Sequence, residues 1–530
     1  MRQIGPWWVC SALLLAAALR LPALALRPMH ADEAVHAVKL GQFLEGKPYE
    51  YDPNDYHGPI LNYVTAIAAM TRGQRSLASL DERTIRLVVA ISGIAIVLAP
   101  LGLADRLGRF ATIMAMLLTA ASPAFAYYSR YFLHEPVLVL LSIWLIISLW
   151  RYIQSPSVVL AGLTGLLAGL LIATKETWVI VFAAIAAGCL AAAKGTLCRR
   201  HVLRWLTIGV VVCLVVAGLL LTSLLRNPKA ILDIVKAMGC YLCRAHTGPH
   251  IHPWYYYLDL LTWIPLIARP TWNEDLVVIG GIAGIVLLLL RRPRSCDIRL
   301  ARFLCVYTAV MVVVYCAIPY KTPWCMLGML HGLILVAAMA IAELLHAIQR
   351  RSWRLVATFA VALLGIAIPS FQAYMLCFRL YCDPSNPYVY AHTTKDIPAL
   401  ASRIDQIAAS TGKGGQIYIQ VICPPADYWP LPWYLRSYPN TGYWPAVDFN
   451  YPPGDIILAS PAAQADLLDL LYESRPEGSR DMYLMLMDRA LYLRPGVCID
   501  AYIRKDIYDA SRNDKTAEIY DRNGPAAQQR

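Results

Sequence analysis

The chain of 530 residues is 58% hydrophobic and only 15% charged, with a mean hydropathy of +0.49. Soluble domains carry about 25% charged residues, so this composition excludes an ordinary soluble enzyme and implies a polytopic membrane protein. The net charge of +12 is scattered over short segments between apolar runs, which argues against a nucleic-acid partner.

Eleven apolar runs reach the roughly 17 residues a helix needs to cross a hydrocarbon core: residues 6–26, 85–104, 110–128, 136–153, 158–174, 177–193, 205–225, 274–290, 303–319, 324–346 and 354–374. Residues 58–71 and 255–270 are shorter or broken by proline, and suit the membrane interface. The basic residues of the short connections favour one side. Arg106, Arg109, Arg151, Lys194, Arg199, Arg200, Arg204, Arg291, Arg292, Arg294, Arg299, Arg302, Arg350, Arg351 and Arg354 fall together, whereas the opposite turns hold Arg130, Lys175 and Lys321. The positive-inside rule then predicts a protein of the cytoplasmic membrane, its N-terminus inside and its C-terminal domain outside. Residues 1–26 also fit a secretory signal peptide, with Arg2 and a small-residue stretch at Ala23–Ala25; cleavage would leave ten spans and the same outside face.

Taken in chain order, the outside segments are chemically loaded. The first, 27–84, opens on "HADEAVH" (30–36) and ends on "YHGP" (56–59). Then come "SRYFLHEP" (129–136), "TKETW" (174–178), "HTGPHIHPWYYY" (246–257) within the long loop 226–273, and "YKTPW" (320–324). Interface anchoring explains the aromatics and basic residues of these loops. It gives no reason for Asp32, Glu33, Glu135 or Glu176, because a carboxylate gains nothing from lipid.

Asp32 and Glu33 are neighbours, about 100° apart on a helix, so one can act as a base while the other caps or orients. The Glu33–His36 spacing matches half of a di-iron site, but the second copy that such a site needs is missing. His246, His250 and His252 suit either a metal or hydrogen bonds within a loop. Arg130 has the bidentate fork that suits a phosphate. Lys175 and Lys321 read either as snorkelling anchors or as anion contacts. Among the 14 cysteines, Cys240/Cys243 and Cys377/Cys382 are spaced for local disulfides or free thiols.

From Cys377 the composition turns polar, giving a domain of residues 377–530 after a membrane domain of 1–376. Strands are expected within 414–422 and 454–460. An amphipathic helix is expected over 461–474, with Leu467, Leu468, Leu470 and Leu471 on one side, and further strands in 481–507. This is an α/β domain with a polar tail from Ser511.

The set of loop motifs resembles the GT-C membrane glycosyltransferases, in particular the protein O-mannosyltransferase-like superfamily. "YHGP" is similar to its Tyr-x-His-Pro-Pro segment, with Gly58-Pro59 in place of Pro-Pro. Glu135 stands where many members have aspartate, and "YKTPW" resembles a lysine motif of lipid A aminoarabinose transferases. With "HPWYYYL" and "WPLPWYLRSY" (429–438) the likeness is nearest to the flippase activity-associated branch of archaeal N-glycosylation. The resemblance implies transfer of a hexosyl or pentosyl unit from a polyprenyl-phosphate donor to a lipid, glycan or protein acceptor. Asp32 would be the general base beside Glu33. Arg130, Lys175 and Lys321 would meet the phosphate, Tyr56 and His57 would wall the substrate, and Glu135 would orient neighbours. Glu33 and Glu135 are also where a divalent cation, Mg or Mn, would bind, as some GT-C enzymes use one. A lipid-linked sugar flippase or a non-catalytic partner of a glycosylation pathway are the alternatives. A transporter would place charges within its spans, and here they gather at one surface.

Overall fold

The computed structural model describes residues 4–51, 57–193, 205–230, 250–262, 273–425 and 427–513, with the isolated positions 232, 233, 236 and 239. Each of the eleven apolar runs contains a helix. Five helices are long and apolar enough to cross a membrane: Glu82–Leu107, Glu135–Gln154, Ile298–Ala317, Pro323–Ala347 and Arg351–Arg379. Pro6–Arg20, Arg109–Ala121, Val158–Ile172, Trp178–Ala192, Leu206–Leu221 and Asp275–Leu290 are shorter apolar helices, as is the expected interfacial helix, Ile60–Thr71.

The chain divides into two compact units. The first holds residues 1–26, 42–75 and 80–390; the second holds 27–41, 76–79 and everything from 391 on. The expected boundary at 376/377 therefore shifts, because the last apolar helix continues to Arg379 and the chain from 380 to 390 stays with the helices. Cys377 and Cys382 are not joined in a disulfide, while Cys240 and Cys243 lie outside the described residues.

In the first unit the helix Pro323–Ala347 is the centre, with 89% of its apolar window buried, and Arg351–Arg379 is peripheral, with 17% buried. Small residues let neighbours approach: a β-carbon on Gly165 would sit 2.1 Å from the Gly209 carbonyl oxygen, so only glycine permits this crossing. At one end of the bundle the arginine-bearing connections are tied by acids. Arg106 pairs with Asp297 at 3.0 Å and Arg151 with Asp105 at 2.6 Å. Asp297 also caps the helix Ile298–Ala317, accepting from the Arg299 and Leu300 amides.

The second unit is an α/β domain. Its strands are β1 (Ile419–Ile422), β2 (Thr441–Trp444), β3 (Ile456–Ala459), β4 (Tyr483–Met485), β5 (Leu491–Arg494) and β6 (Val497–Arg504), in the order β2-β1-β3-β6-β4 with β5 also on β6. β1 runs parallel to β2 and β3, whereas β6 is antiparallel to β3, β4 and β5. One sheet face is covered by Ile397, Leu400, Ile404 and Ile407 of the helix Asp396–Ser410. The other is covered by Leu467 and Leu471. The segment expected as one helix is broken into 3-10, α and π turns between Pro461 and Glu473, and Leu468 faces solvent at 47% exposure. A last helix, Lys505–Asn513, closes the described chain.

The segment from Arg27 joins this domain through its backbone. The Met29 amide donates to the Tyr434 hydroxyl at 2.9 Å, and Thr393 Oγ1 donates to the Met29 carbonyl at 2.5 Å. The His30 and His392 rings meet edge to face at 5.1 Å.

Candidate active site

Within the first unit, the loops singled out in the sequence converge. Ile60 N donates to the Ala173 carbonyl at 3.3 Å, and Gly58 lies against the same carbonyl. This fastens the "YHGP" turn to "TKETW". His57 Nδ1 is 2.8 Å from Glu176 Oε2, and Tyr51 donates its hydroxyl to Glu176 Oε1 at 2.8 Å. His134 Nε2 reaches the Gly58 carbonyl at 3.2 Å, and the His57 and His134 rings meet edge to face at 5.1 Å. Tyr56 lies outside the described residues.

Lys175 forms a buried ion pair with Glu135, its side chain 7% exposed and that of Glu135 5%. Glu135 is the first residue of the helix Glu135–Gln154, followed by Pro136. The helix N-terminus favours a carboxylate there, and proline forfeits no intrahelical hydrogen bond. Cys325 Sγ lies 3.8 Å from Glu135 Oε1 and 3.2 Å from Thr322 Oγ1, which brings "YKTPW" to the pair. Lys321 itself joins two backbones: its amide donates to the His250 carbonyl at 2.9 Å, and its ammonium donates to the carbonyls of His252 and Ile318. Burial lowers its pKa. His252 stacks on Tyr256 at 4.0 Å, and His250 hydrogen-bonds the Tyr390 hydroxyl. Both histidines therefore work within a loop, while His246 lies outside the described residues.

Arg130 is committed elsewhere. Its guanidinium donates to the carbonyls of Arg20 (3.0 Å), Pro22 (2.7 Å) and Ala23 (2.9 Å) and lies 4.6 Å over the Phe378 ring. The helix Pro6–Arg20 ends there, leaving carbonyls without intrahelical partners. The fork that suits a phosphate here caps a helix.

Asp32 and Glu33 belong to the second unit. They open the helix Ala31–Leu44, and their environments differ. Glu33 is fully buried, pairs with Arg27 at 2.9 Å and accepts from the His30 amide at 3.0 Å. Asp32 has a side chain 49% exposed, and its carboxylate lies 3.9 Å from His30 Nδ1, which accepts from the Asp32 amide at 3.1 Å.

The donor set does not suit a divalent cation. Glu33 and Glu135 each already face a protein cation, and an adjacent ammonium or guanidinium repels a metal. Among the described residues no three of His, Cys, Asp and Glu stand together in a ligating group.

The sequence signals no partner for Glu176 or Cys325. Glu176 was legible only as an unexplained carboxylate in a turn, since His57 lies 119 positions away.

A family profile described as dolichyl-phosphate-mannose-protein mannosyltransferase matches residues 57–221. ArnT from Cupriavidus metallidurans, solved with undecaprenyl phosphate, superposes with a TM-score of 0.64, covering 94% of this chain and 98% of its own at 15% identity. The fold is that of the GT-C glycosyltransferases. AglB, the Archaeoglobus fulgidus oligosaccharyltransferase, solved with an inhibitory peptide and a dolichol-phosphate, gives a TM-score of 0.54 at 13% identity, covering 88% of this chain and 70% of that one. Comparison with curated protein sequences gives no match.

Proposed function

We propose that this GT-C chain transfers a sugar from a polyprenyl-phosphate donor to an acceptor hydroxyl at the outer face of the cytoplasmic membrane. The observation that carries this reading is the convergence of His57–Glu176, Lys175–Glu135 and the Lys321 loop in one unit. A lipid-linked phosphate needs cations at the bilayer edge, where its chain can stay in lipid. The likeness to a fold solved with undecaprenyl phosphate supports the same donor class.

In this reading Asp32 is the general base, because it is the accessible member of the acidic pair and Glu33 is spent on Arg27. Asp32 takes the acceptor O–H proton as the oxygen bonds to the anomeric carbon. The carbon–oxygen bond to phosphate breaks, its electron pair stays on the phosphate, and polyprenyl phosphate leaves. Lys175 and His57 balance the charge that grows on the leaving group. Lys321 shapes the loop, with two of its three N–H donors on carbonyls.

The test is sugar transfer by purified protein from polyprenyl-phosphate donors, read as glycosylated acceptor and released lipid phosphate. Asp32→Asn removes the proton acceptor at nearly constant shape and is expected to lower kcat by about 10²–10⁴-fold. A wild-type rate in Asp32→Asn would reject Asp32 as the base. No transfer by the wild-type protein from any sugar-charged carrier would reject the function.

A further inference from the structure

The last apolar helix, Arg351–Arg379, meets the bundle along only part of its length. Towards its C-terminal end Pro369, Gln372, Ala373 and Leu376 are buried, and Gln372 accepts from the Asn273 amide at 3.3 Å. Midway, Gly365 rests on Leu276 of the helix Asp275–Leu290, so closely that a β-carbon there would come 2.7 Å from Leu276 Cδ2. Nearer its start the helix stands clear, and none of the 12 residues of Arg351–Ala362 is buried. The helix Asp275–Leu290 is bare over the same stretch. Its Gly281 and Gly284 pack on Leu333 and Val336 of the central helix. The face that carries Leu276 continues through Ile279, Val286 and Leu290 at helical spacing, and these three are 55% to 81% exposed. Leu290 and Arg351 are each fourteen residues from the contact of Leu276 with Gly365, about 21 Å of helix. The two helices therefore leave between them an apolar gap whose walls end at one depth.

Arginines close that end. Arg291 and Arg292 follow Leu290 directly, Arg350 and Arg351 open the facing helix, and Arg354 falls on the same side of it as Gly365 by helical spacing. All five are exposed, and unlike Arg106 and Arg151 none pairs with a carboxylate among the described residues. Glu343 of the helix Pro323–Ala347 gives Oε2 to the Arg294 and Ser295 amides at 2.9 Å each. It thus holds the connection after Leu290 without neutralising these side chains.

We propose that this gap holds one glycerophospholipid with an anionic headgroup, an acyl chain along Ile279, Val286 and Leu290 and its phosphate against Arg291, Arg292, Arg351 and Arg354. Orientation of the chain in the membrane accounts for arginines at this end. It does not account for their flanking a gap between two helices that touch farther along. The guanidinium fork matches phosphate oxygens, and an apolar stripe running on from the charges suits an amphiphile, not a soluble anion. Trp353, 61% exposed beside the arginines, suits the headgroup layer, where indole rings gather. The lipid braces a helical segment that the protein itself leaves unburied.

The experiment is native mass spectrometry of the full-length protein in neutral detergent, titrated with dioleoylphosphatidylglycerol, dioleoylphosphatidylcholine or glycerol phosphate. One phosphatidylglycerol per chain is expected to bind about ten-fold more tightly than phosphatidylcholine, and glycerol phosphate at the same concentration should not displace it. Arg351→Gln combined with Arg354→Gln should weaken phosphatidylglycerol binding by about ten-fold or more. Lysine at both positions should recover part of that loss, since it keeps the charge without the fork. Val286→Gln, on the apolar wall, should weaken the same binding. Equal binding of the two lipids, displacement by glycerol phosphate, or unchanged affinity in the arginine double variant would overturn the assignment. The comparison of lipids uses the unaltered protein, so it decides even where a variant folds poorly. Binding is read without sugar transfer, and its failure leaves the proposed function untouched.

Discussion

Gly58 lies so close to Ala173 that a β-carbon on it would come 2.1 Å from the Ala173 carbonyl oxygen and 2.5 Å from its carbon. Both atoms are backbone and neither can swing aside. Gly58→Ala should therefore part the turn carrying His57 from the turn carrying Glu176. We expect sugar transfer to fall by at least ten-fold, since misplacement by about 1 Å costs on the order of 10²-fold in such sites. A steady-state assay with intact expression checks this, and full activity would mean that the two turns need not meet.

Arg130 holds the end of the first apolar helix. Arg130→Lys keeps the charge but cannot reach three carbonyls at once. Each hydrogen bond involving a charged group contributes about 1.5–3 kcal/mol, so the thermal midpoint in detergent should fall by several degrees. If kcat/KM drops while the midpoint stays put, Arg130 touches substrate instead.

Glu33 and Arg27 are both buried, and removing one charge strands the other. Breaking such a pair costs about 3–5 kcal/mol. Glu33→Gln should lower stability and yield, whereas Asp32→Asn should lower turnover without lowering stability. Chemical unfolding curves of the two variants compare them directly. Equal stability of Glu33→Gln and wild type would contradict this division of labour.

Glu176 also sets an acid limit. Its folded-state pKa, about 2, lies below the ordinary carboxylate value of 4.5. Its stabilisation is thus fully present above pH 4.5 and is lost as pH falls towards 2. Thermal midpoints recorded from pH 6 to 3 should decline less steeply in Glu176→Gln than in wild type. Parallel curves would show that the carboxylate gains nothing on folding.

The apolar runs, the loaded loops and strands β1 and β3 were legible because each depends on residues adjacent in sequence. Other features depend on distant partners and were not. Arg130 reads as a phosphate clamp until the carbonyls of Arg20, Pro22 and Ala23 are seen beside it. Glu176 has no meaning without His57. The helix Asp396–Ser410 was missed although Ile397, Leu400, Ile404 and Ile407 recur at helical spacing, because its polar face weakens the apolar signal. The edge strand β2 is only four residues long and half-buried, too short for alternation to declare itself. Leu468 shows the converse: four leucines looked like one face, yet Leu468, at the end of the short α turn Gln464–Leu468, is exposed to solvent.

The attachment of Met29 to Thr393 and Tyr434 has a consequence for how the protein is made. These contacts span 364 and 405 residues, so a ribosome finishes Asp32 long before the residues that seat its neighbourhood exist. The loop bearing Asp32 must wait until every apolar helix has been inserted and the C-terminal domain has emerged and folded. On the role proposed for Asp32, a chain that stalls part-way carries an unseated base and transfers no sugar.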